Sequence, residues 1–341
     1  RGRERAAGAY KEEAFFAPMP IIKEGEVEDE QVPRDDEPRN KKEADRHRCI
    51  ACRNRKTSSE PCERCIAERE GIYECWKKEM DQLKKMGVYR ELSDQELQEI
   101  KRQGKKILNA KMVTKRKYEA VVGKDGIVRD RFLKWKGRLA GVGTSEVKGV
   151  DMPWSTFSPV IGLVAVRTVM SLMCREDFHV NAYDLSGAFL AADLDRKVYM
   201  KMPAECGEDA GKVVQLTKAI YGLKTSSRDY VEAFSKKILE FEHEGCKFER
   251  LYMDACIFRL VGKKGEEIIL CHYVDDLIVG SNSIELREKL LTHIREKWNV
   301  TDEGPMTRFV GLNFARSANG KSWSMSCAPY IERVAARHGI D

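Results

Sequence analysis

The sequence predicts an α+β fold with an antiparallel sheet. Stretches with helical spacing of apolar residues and stretches with strand-like spacing follow one another without strict alternation, which is typical of this class. Turn signals at 124–126 and at 319–320 predict hairpins, and hairpins join antiparallel strands. The 341 residues are 42% hydrophobic, so the chain can bury a core, and its length fits one to three domains.

The elements of the first half follow from apolar spacing. A helix is expected to start near Trp76 and to keep an apolar face as far as Met86. Two strands at 111–118 and 127–139 follow, joined by the turn at 124–126. Ser158 and Pro159, a good cap and a good first helical residue, then predict a helix with an apolar face that extends to Met173.

The second half continues the mixture of helices and strands. Residues 178–185 read as a strand, and 231–241 as a helix that Gly245 can end. Two short apolar runs, 267–274 and 277–280, predict strands. A helix after Ser283 and a last helix from Pro329 to His338, stopped by Gly339, complete the predicted elements.

Charge is distributed unevenly, although the net charge is only +6. Residues 24–45 hold ten acidic and four basic side chains, and residues 1–48 are expected to be a disordered acidic tail because they offer little apolar surface. Residues 101–138 hold fourteen basic and three acidic side chains, together with Phe132 and Trp135. A block this basic is typical of a surface that binds nucleic acid, and a solvated charged face is the alternative.

A membrane-spanning segment is not expected. The longest apolar stretches, 160–173 and 268–279, are each interrupted by charged side chains. Six of the eleven cysteines are scattered among apolar neighbours, which is typical of a reducing compartment. We therefore expect an intracellular protein that is not secreted and lies in a cytoplasmic particle or the nucleus. We expect no membrane partner. We also expect the chain to be a fragment of a longer polypeptide.

The other five cysteines lie in one cysteine-rich segment, 49–75. Cys49 and Cys52 form one close pair and Cys62 and Cys65 another, and four thiolates in two such pairs are a typical pattern for one structural Zn²⁺. The alternative is a set of reduced surface cysteines. The predicted zinc ligands are therefore Cys49, Cys52, Cys62 and Cys65.

Two adjacent acids, Asp275 and Asp276, interrupt what would otherwise be one buried strand. Burying unpaired carboxylates is costly, so a hairpin turn that brings both acids to a sheet edge is expected. Asp184 has a similar apolar setting, whereas alternation along the strand should point His272 away from Asp275. Carboxylates without nearby histidine or cysteine ligands favour two Mg²⁺ or Mn²⁺ ions and phosphoryl transfer, although a simple turn is the alternative.

These residues carry a resemblance to a known family. The segment Tyr273–Asp276 (YVDD) resembles the YxDD box of reverse transcriptases, and 184–194 (DLSGAFLAADL) resembles their first aspartate motif as copia-type retrotransposons have it. Further blocks agree in order over about residues 76–341. These blocks are 136–139 (KGRL), 157–160 (FSPV), 198–200 (VYM), 221–224 (YGLK), 309–311 (FVG) and 330–332 (YIE).

The resemblance implies a right-hand polymerase fold and an RNA-directed DNA polymerase, a nucleotidyltransferase. Its partners would be an RNA template, a DNA primer, their RNA–DNA duplex and deoxynucleoside triphosphates. By position, the fingers would comprise 76–159 and 192–229, the palm 160–191 and 230–316, and the start of the thumb or connection 317–341.

The resemblance also implies roles for individual residues. Asp184 and Asp275 would bind both metal ions with Asp276 in support, and Phe189 would be the aromatic gate that excludes a ribose 2′-hydroxyl. The remaining nucleotide-binding residues would be Lys136, Arg138, Tyr221, Gly222 and Lys224. The primer would contact the hairpin that contains Phe309 and Gly311. Without the resemblance, the aromatic residues are core side chains and the two cations are solvated strand residues.

Three positions depart from the family, which usually has Arg at Val142, Gln at Thr225 and Pro at Ser227. Because that Gln ordinarily lies against the incoming nucleotide, Thr225 is the departure with the most weight. These departures support a second hypothesis, a catalytically silent nucleic-acid-binding remnant of such an element.

Overall fold

The computed structural model describes residues 63–122, 128–153, 155–338 and 340. The predicted disordered tail therefore lies outside the described residues, as do three of the four predicted zinc ligands, the turn at 124–126 and Gly339.

The described residues form a mixed α+β structure, as the sequence predicts. The helices are α1 (Glu63–Lys85), α2 (Asp94–Arg102), α3 (Leu163–Arg175), α4 (Ser226–Glu240), α5 (Ile284–Arg295) and α6 (Ala328–His338). The strands are β1 (Tyr89–Glu91), β2 (Ile107–Val122), β3 (Val128–Gly141), β4 (His179–Ser186), β5 (Asp193–Lys201), β6 (Val213–Lys218), β7 (Glu242–His243), β8 (Cys246–Lys247), β9 (Glu249–Arg250), β10 (Ile257–Val261), β11 (Glu267–Tyr273), β12 (Asp276–Ser281), β13 (Asn299–Pro305), β14 (Arg308–Phe309), β15 (Leu312–Arg316) and β16 (Trp323–Ser326).

Two larger sheets organise these strands. An antiparallel sheet of six strands has the order β13-β4-β12-β11-β10-β9. A sheet of five strands has the order β1-β6-β5-β2-β3, in which only β2 and β5 run parallel. The strands β14, β15 and β16 form a third, antiparallel sheet.

The six-stranded sheet is covered on both faces. On β4, Tyr183 and Leu185 face one core, which includes the apolar sides of α4 and α5. Val180 and Ala182 face the opposite core, which includes α3 and the third sheet. Because side chains alternate along a strand, Asp184 continues the face of Val180 and Ala182 to the end of the strand.

Helix α1 covers the five-stranded sheet and begins at Glu63, earlier than the start near Trp76 that the sequence predicts. Ile72, one turn before Trp76, is fully buried in the core shared with Trp135 and Leu139 of β3. The Trp76 ring nitrogen donates to the hydroxyl of Thr114 on β2 at 2.7 Å, which fixes the helix on the sheet. The helix therefore runs without a break across the predicted boundary at residue 75.

The predicted start of α3 at Ser158 and Pro159 is wrong, because the helix begins only at Leu163. Gly162 is extended, with φ −78° and ψ 145°, and occupies the N-cap position. Its N–H donates to the carboxylate of Asp254 at 2.9 Å. The N-cap residue therefore has no side chain that could cap the helix, and a carboxylate from a distant part of the chain binds its N–H.

The expected role of Gly245 as a helix stop is also wrong. Helix α4 ends at Glu240, and Phe241 is its C-cap. Glu244 and Gly245 both have positive φ, 50° and 80°, and form the two-residue turn between β7 and β8. Two successive positive φ angles are typical of a type I′ hairpin turn.

Other elements confirm the sequence predictions. The strand expected at 178–185 is β4, and Ser283 caps α5 by accepting a hydrogen bond from the Leu286 N–H. The turn at Asn319 and Gly320 joins β15 to β16. None of the helices in the described ranges combines the length and the apolar character needed to cross a bilayer.

Candidate active site

The site is centred on the tight turn between β11 and β12. Tyr273 pairs with Asp276, so Val274 and Asp275 form a two-residue hairpin loop. Val274 has φ +52°, a conformation that costs a β-branched residue about 1–3 kcal/mol and is found at functional sites. The Asp275 carbonyl accepts a hydrogen bond of 2.7 Å from the Leu185 N–H, which ties the turn to β4.

Strand register brings the three predicted aspartates together. Asp276 lies directly opposite Asp184 on the adjacent antiparallel strand, and side chains in that relation have Cβ atoms about 4.5–5.5 Å apart. Asp275 precedes Asp276 in the turn. The Ser186 hydroxyl donates to the Asp184 carboxylate at 2.9 Å. Three acids from two distant segments therefore share one sheet edge.

The shared edge makes the charged form of these acids unfavourable. Burial, followed by the charges of Asp184 and Asp276, raises the pKa of Asp275 from 3.8 to about 6, against the opposing effect of Lys136 and Arg138. Burial and Asp184 also raise the pKa of Asp276. In addition, the Oδ1 atom of Asp275 is buried without a hydrogen-bond partner. A divalent cation would satisfy this oxygen and offset the repulsion between the carboxylates.

The three aspartates are not the tightest cluster of potential ligands. In the described part of the chain, the only three potential ligands whose donor atoms all lie within 4.8 Å of one another are His243, Glu244 and Glu266. The donor atoms of Asp184, Asp275 and Asp276 therefore do not all lie within that distance of one another.

The raised pKa of Asp275 predicts how the stability of the metal-free protein changes with pH. Because the folded-state pKa of Asp275 is raised to about 6, the group contributes stability that is fully present below the ordinary pKa of 3.8 and is lost as the pH rises through about 6. At neutral pH in chelator, Asp275→Asn should be more stable than the wild type by roughly 1–3 kcal/mol. The difference should vanish near pH 4.

Urea unfolding at both pH values measures this difference. Added Mg²⁺ should stabilise the wild type more than the Asn variant, because the ion binds the folded state through the charged carboxylate. An Asn variant that is less stable than the wild type at neutral pH would contradict the electrostatic account.

Lys136 and Arg138 are two residues apart on β3, so their side chains lie on the same face of that strand. Burial and the positive charges of Arg138 and Lys117 lower the pKa of Lys136, while Asp184 and Asp275 raise it. These charge effects place the Lys136 ammonium in the field of the acids. Arg138 donates to the carboxylate of Glu79 on α1 at 2.9 Å and lies 5.6 Å from the Tyr221 ring centroid.

Phe189 and Tyr221 pack against each other. Phe189 is buried in a 3₁₀ turn, Ala188–Ala191, that follows Gly187, and its ring packs edge-on against Tyr221 at 4.9 Å. Burial and the charge of Asp275 raise the pKa of Tyr221, so Tyr221 lies near the acids. Phe189 itself belongs to the core that packs on α4.

The segment that contains Gly222 and Lys224 is fixed to the end of β3. Gly222 has φ +87°, and a Cβ atom there would lie 2.1 Å from the Gly141 carbonyl oxygen, so only glycine fits. The Lys224 ammonium donates to the carbonyl of Glu146 at 2.8 Å. Lys224 is one of the predicted nucleotide-binding residues, and its ammonium group binds the neighbouring loop that contains Glu146.

Phe309 and Gly311 belong to a hairpin that touches the aspartate turn. Val310 and Gly311, with φ +46° and +79°, form the turn between β14 and β15. Phe309 is buried, and its ring lies edge-on to the ring of Tyr273 at 6.3 Å. The hairpin therefore contacts the first residue of the YVDD segment.

Sequence reasoning missed two charged residues at this edge. Burial and the charges of Asp184 and Asp276 raise the pKa of Glu303 on β13. Arg308 on β14 opposes the rise in the pKa of Asp276. Neither lies in a motif. Only the pairing of β13 with β4, which sets Thr301 opposite Asp184, brings Glu303 close.

Comparison with known proteins gives the chain its family. A family profile described as reverse transcriptase (RNA-dependent DNA polymerase) matches residues 101–340. The chain is 30% identical over 276 residues to the retrovirus-related Pol polyprotein from transposon TNT 1-94 of Nicotiana tabacum, which covers 80% of this chain and 19% of that protein. It is 26% identical over 235 residues to the transposon Ty1-NL2 Gag-Pol polyprotein of Saccharomyces cerevisiae, which covers 69% of this chain and 12% of that protein.

The chain thus spans less than one fifth of the length of these two relatives. The family profile, in contrast, matches well over half of the chain, and this match confirms the resemblance found in the sequence. This chain belongs to the reverse transcriptase (RNA-dependent DNA polymerase) family and is related to the Pol polyproteins of copia- and Ty1-type retrotransposons.

Proposed function

We propose that this chain extends a DNA primer on an RNA template, as the reverse transcriptase of a retrotransposon polyprotein. The observation that carries the proposal is the register that sets Asp184 opposite Asp276 with Asp275 in the adjoining turn. The acids also lie in the field of two cationic side chains on β3, Lys136 and Arg138.

The polymerase subdomains would follow the two larger sheets. The six-stranded sheet with α3, α4 and α5 would be the palm, at 160–191 and 230–316. The five-stranded sheet with α1 would belong to the fingers, at 76–159 and 192–229. Residues 317–341 would begin the thumb or connection.

Asp184 and Asp275 would hold two Mg²⁺ or Mn²⁺ ions, with Asp276 in support. The buried, unpartnered Oδ1 atom of Asp275 and the mutual repulsion of the acids fit an all-oxygen site for hard cations. When bound, such ions make the primer 3′-hydroxyl a stronger nucleophile and stabilise the leaving oxygens.

The chain's own side chains would bind and orient the substrates. Lys136 and Arg138 would bind the triphosphate, since both are cationic and lie on one face near the acids. Glu79 restrains the Arg138 side chain through their 2.9 Å ion pair. This restraint would reduce the entropy that the side chain loses when the triphosphate binds. Lys224 would act indirectly, by holding the loop at 144–146.

The aromatic residues would set the geometry of sugar and primer. Phe189, backed by the edge-on ring of Tyr221, would lie under the deoxyribose, and the close approach of Gly222 to Gly141 would keep Tyr221 in place. The hairpin with Phe309 and Gly311 would receive the primer end, because it contacts Tyr273 next to the catalytic turn.

Primer extension by the full chain on an RNA template with Mg²⁺ tests the proposal. We expect template-dependent incorporation of deoxynucleotides. Salt-sensitive binding of an RNA–DNA duplex without incorporation, with either Mg²⁺ or Mn²⁺, would instead identify the silent binding remnant.

One observation favours that second candidate, the silent binding remnant. Thr225 is fully buried, and its hydroxyl accepts a 3.3 Å hydrogen bond from Arg196, which is itself paired with Glu146.

The four-cysteine zinc site also remains a proposal. Of its ligands, only Cys65 lies among the described residues, buried in the first turn of α1. Metal analysis of the full chain should find one zinc per chain, lost in Cys62→Ser and kept in Cys327→Ser. A metal-free wild type would refute the site.

A further inference from the structure

A buried histidine lies on β11, the strand that leads into the Val274–Asp275 turn. His272 on β11 is 1% exposed, and its side chain faces α4, on the opposite side of the sheet from Tyr273. Its ring stacks on Phe234 at 4.6 Å with an interplanar angle of 17°. Its Nε2 atom lies 3.2 Å from the hydroxyl oxygen of Tyr230, which is fully buried on α4.

His272 is uncharged in this setting. Burial lowers the pKa of His272 to about 4, so the ring is neutral at physiological pH, although the main chain of Val274 opposes this shift. A neutral imidazole has one donor and one acceptor nitrogen, so Nε2 can share a hydrogen bond with the Tyr230 hydroxyl in either role.

This pair joins helix α4 to the strained part of the turn. Val274 carries the positive φ that places Asp275 at the sheet edge. A strained conformation persists only where the surrounding structure fixes it. The hydrogen bond between Tyr230 and His272, which lies two residues before Val274 in the chain, supplies such a constraint from the buried side.

The same aromatic cluster reaches the wall of the nucleotide site. Tyr230 lies edge-on to Phe189 at 5.8 Å and to Trp298 at 6.3 Å. Trp298 in turn donates its ring N–H to the Ala188 carbonyl at 3.2 Å, within the 3₁₀ turn that carries Phe189. Tyr230 thus contacts His272, on the strand that leads into the turn, through its hydroxyl, and it contacts Phe189 through its ring.

We infer that Tyr230 and His272 are positioning residues, whose buried hydrogen bond holds the Val274–Asp275 turn in the geometry that binds divalent cations. The inference rests on the proposed function, because it concerns the same aspartate site. The Tyr230 hydroxyl would maintain the affinity for metal ions, and the Tyr230 ring would support Phe189. Groups that orient metal ligands without touching the metal commonly change metal affinity or activity 10–100-fold when removed.

Tyr230→Phe is the sharpest test, since it deletes one oxygen and keeps the ring. Tyr183→Phe is the matched control: Tyr183 is equally buried, lies next to Asp184, and has a hydroxyl without a hydrogen-bond partner. Two readouts are needed. One is the Mg²⁺ concentration for half-maximal primer extension, and the other is the rise in melting temperature that Mn²⁺ produces without nucleic acid.

For Tyr230→Phe we expect about a 10-fold higher Mg²⁺ requirement and a weaker Mn²⁺ response. The preference for deoxynucleotides should stay unchanged because the ring remains. Tyr183→Phe should match the wild type in both readouts. His272→Gln, which can still accept from Tyr230, should lose less metal affinity than His272→Leu, and a purely structural role would not produce this order.

The outcomes separate this inference from the proposed function. Wild-type extension with an unchanged Mg²⁺ requirement in Tyr230→Phe would overturn the positioning role and leave the polymerase standing. A wild type that incorporates nothing but responds to Mn²⁺ more strongly than Tyr230→Phe would refute polymerase activity and support the positioning role. Equal responses to Mn²⁺ in a wild type without incorporation would overturn both.

Discussion

Replacing Asp275 with asparagine should reduce primer extension by about 1,000-fold or more. Metal ions contribute several kcal/mol to stabilising a phosphoryl-transfer transition state, and each 1.36 kcal/mol changes the rate tenfold. The variant keeps the size of the side chain but loses the charge that lies beside Asp184 and Asp276. Steady-state incorporation of a single deoxynucleotide on an RNA template measures the effect.

Asp81→Asn is the control for this variant, because Asp81 is an exposed acid on α1. It should extend primers at the wild-type rate. Melting temperatures of both variants must show folded protein, and the metal-free Asp275→Asn chain should melt no lower than the wild type. Retention of most of the activity in a folded Asp275→Asn protein would show that the reaction does not depend on this carboxylate.

Replacing Phe189 with valine should relax the choice between deoxyribonucleotides and ribonucleotides. The ring is held edge-on against Tyr221 at 4.9 Å and Tyr230 at 5.8 Å, so it cannot move aside for a 2′-hydroxyl. Removing such a steric barrier is worth about 1–3 kcal/mol, which corresponds to roughly 10–100-fold in the ratio of kcat/KM values. Single-nucleotide incorporation with each sugar gives this ratio.

Phe248→Val provides the comparison, because Phe248 is also a buried phenylalanine of the core that packs on α4 but lies against Phe241. Both variants should lose stability by similar amounts. Only Phe189→Val should incorporate ribonucleotides more readily. An unchanged sugar ratio in Phe189→Val would mean that this ring is core packing and not a gate.

Local patterns in the sequence were sufficient to locate the turn that carries Asp275 and Asp276. Two acids inside an apolar run could be accommodated only at a sheet edge, and the structure places Asp275 and Asp276 in and beside a two-residue turn. The orientation of His272 away from the acids followed from strand alternation, and its ring does face α4. In both cases neighbouring residues determine the result.

Features that depend on distant parts of the chain could not be read in this way. Asp254 accepts a hydrogen bond from the N-cap residue of α3, 92 residues away, and Glu79 pairs with Arg138, 59 residues away. The network of Arg196, Glu146 and Thr225 likewise joins three separate segments. No periodicity or motif encodes such contacts, because they arise only when distant segments of the chain come together.

Anomalous scattering from Mn²⁺ tests most directly whether Asp184 and Asp275 share divalent cations. Crystals of the chain with an RNA–DNA duplex and a non-hydrolysable deoxynucleotide analogue, soaked in Mn²⁺, should show anomalous peaks between these two carboxylates. The peaks should disappear in Asp275→Asn. Manganese bound only at His243, Glu244 and Glu266, with none at the aspartates, would contradict the account.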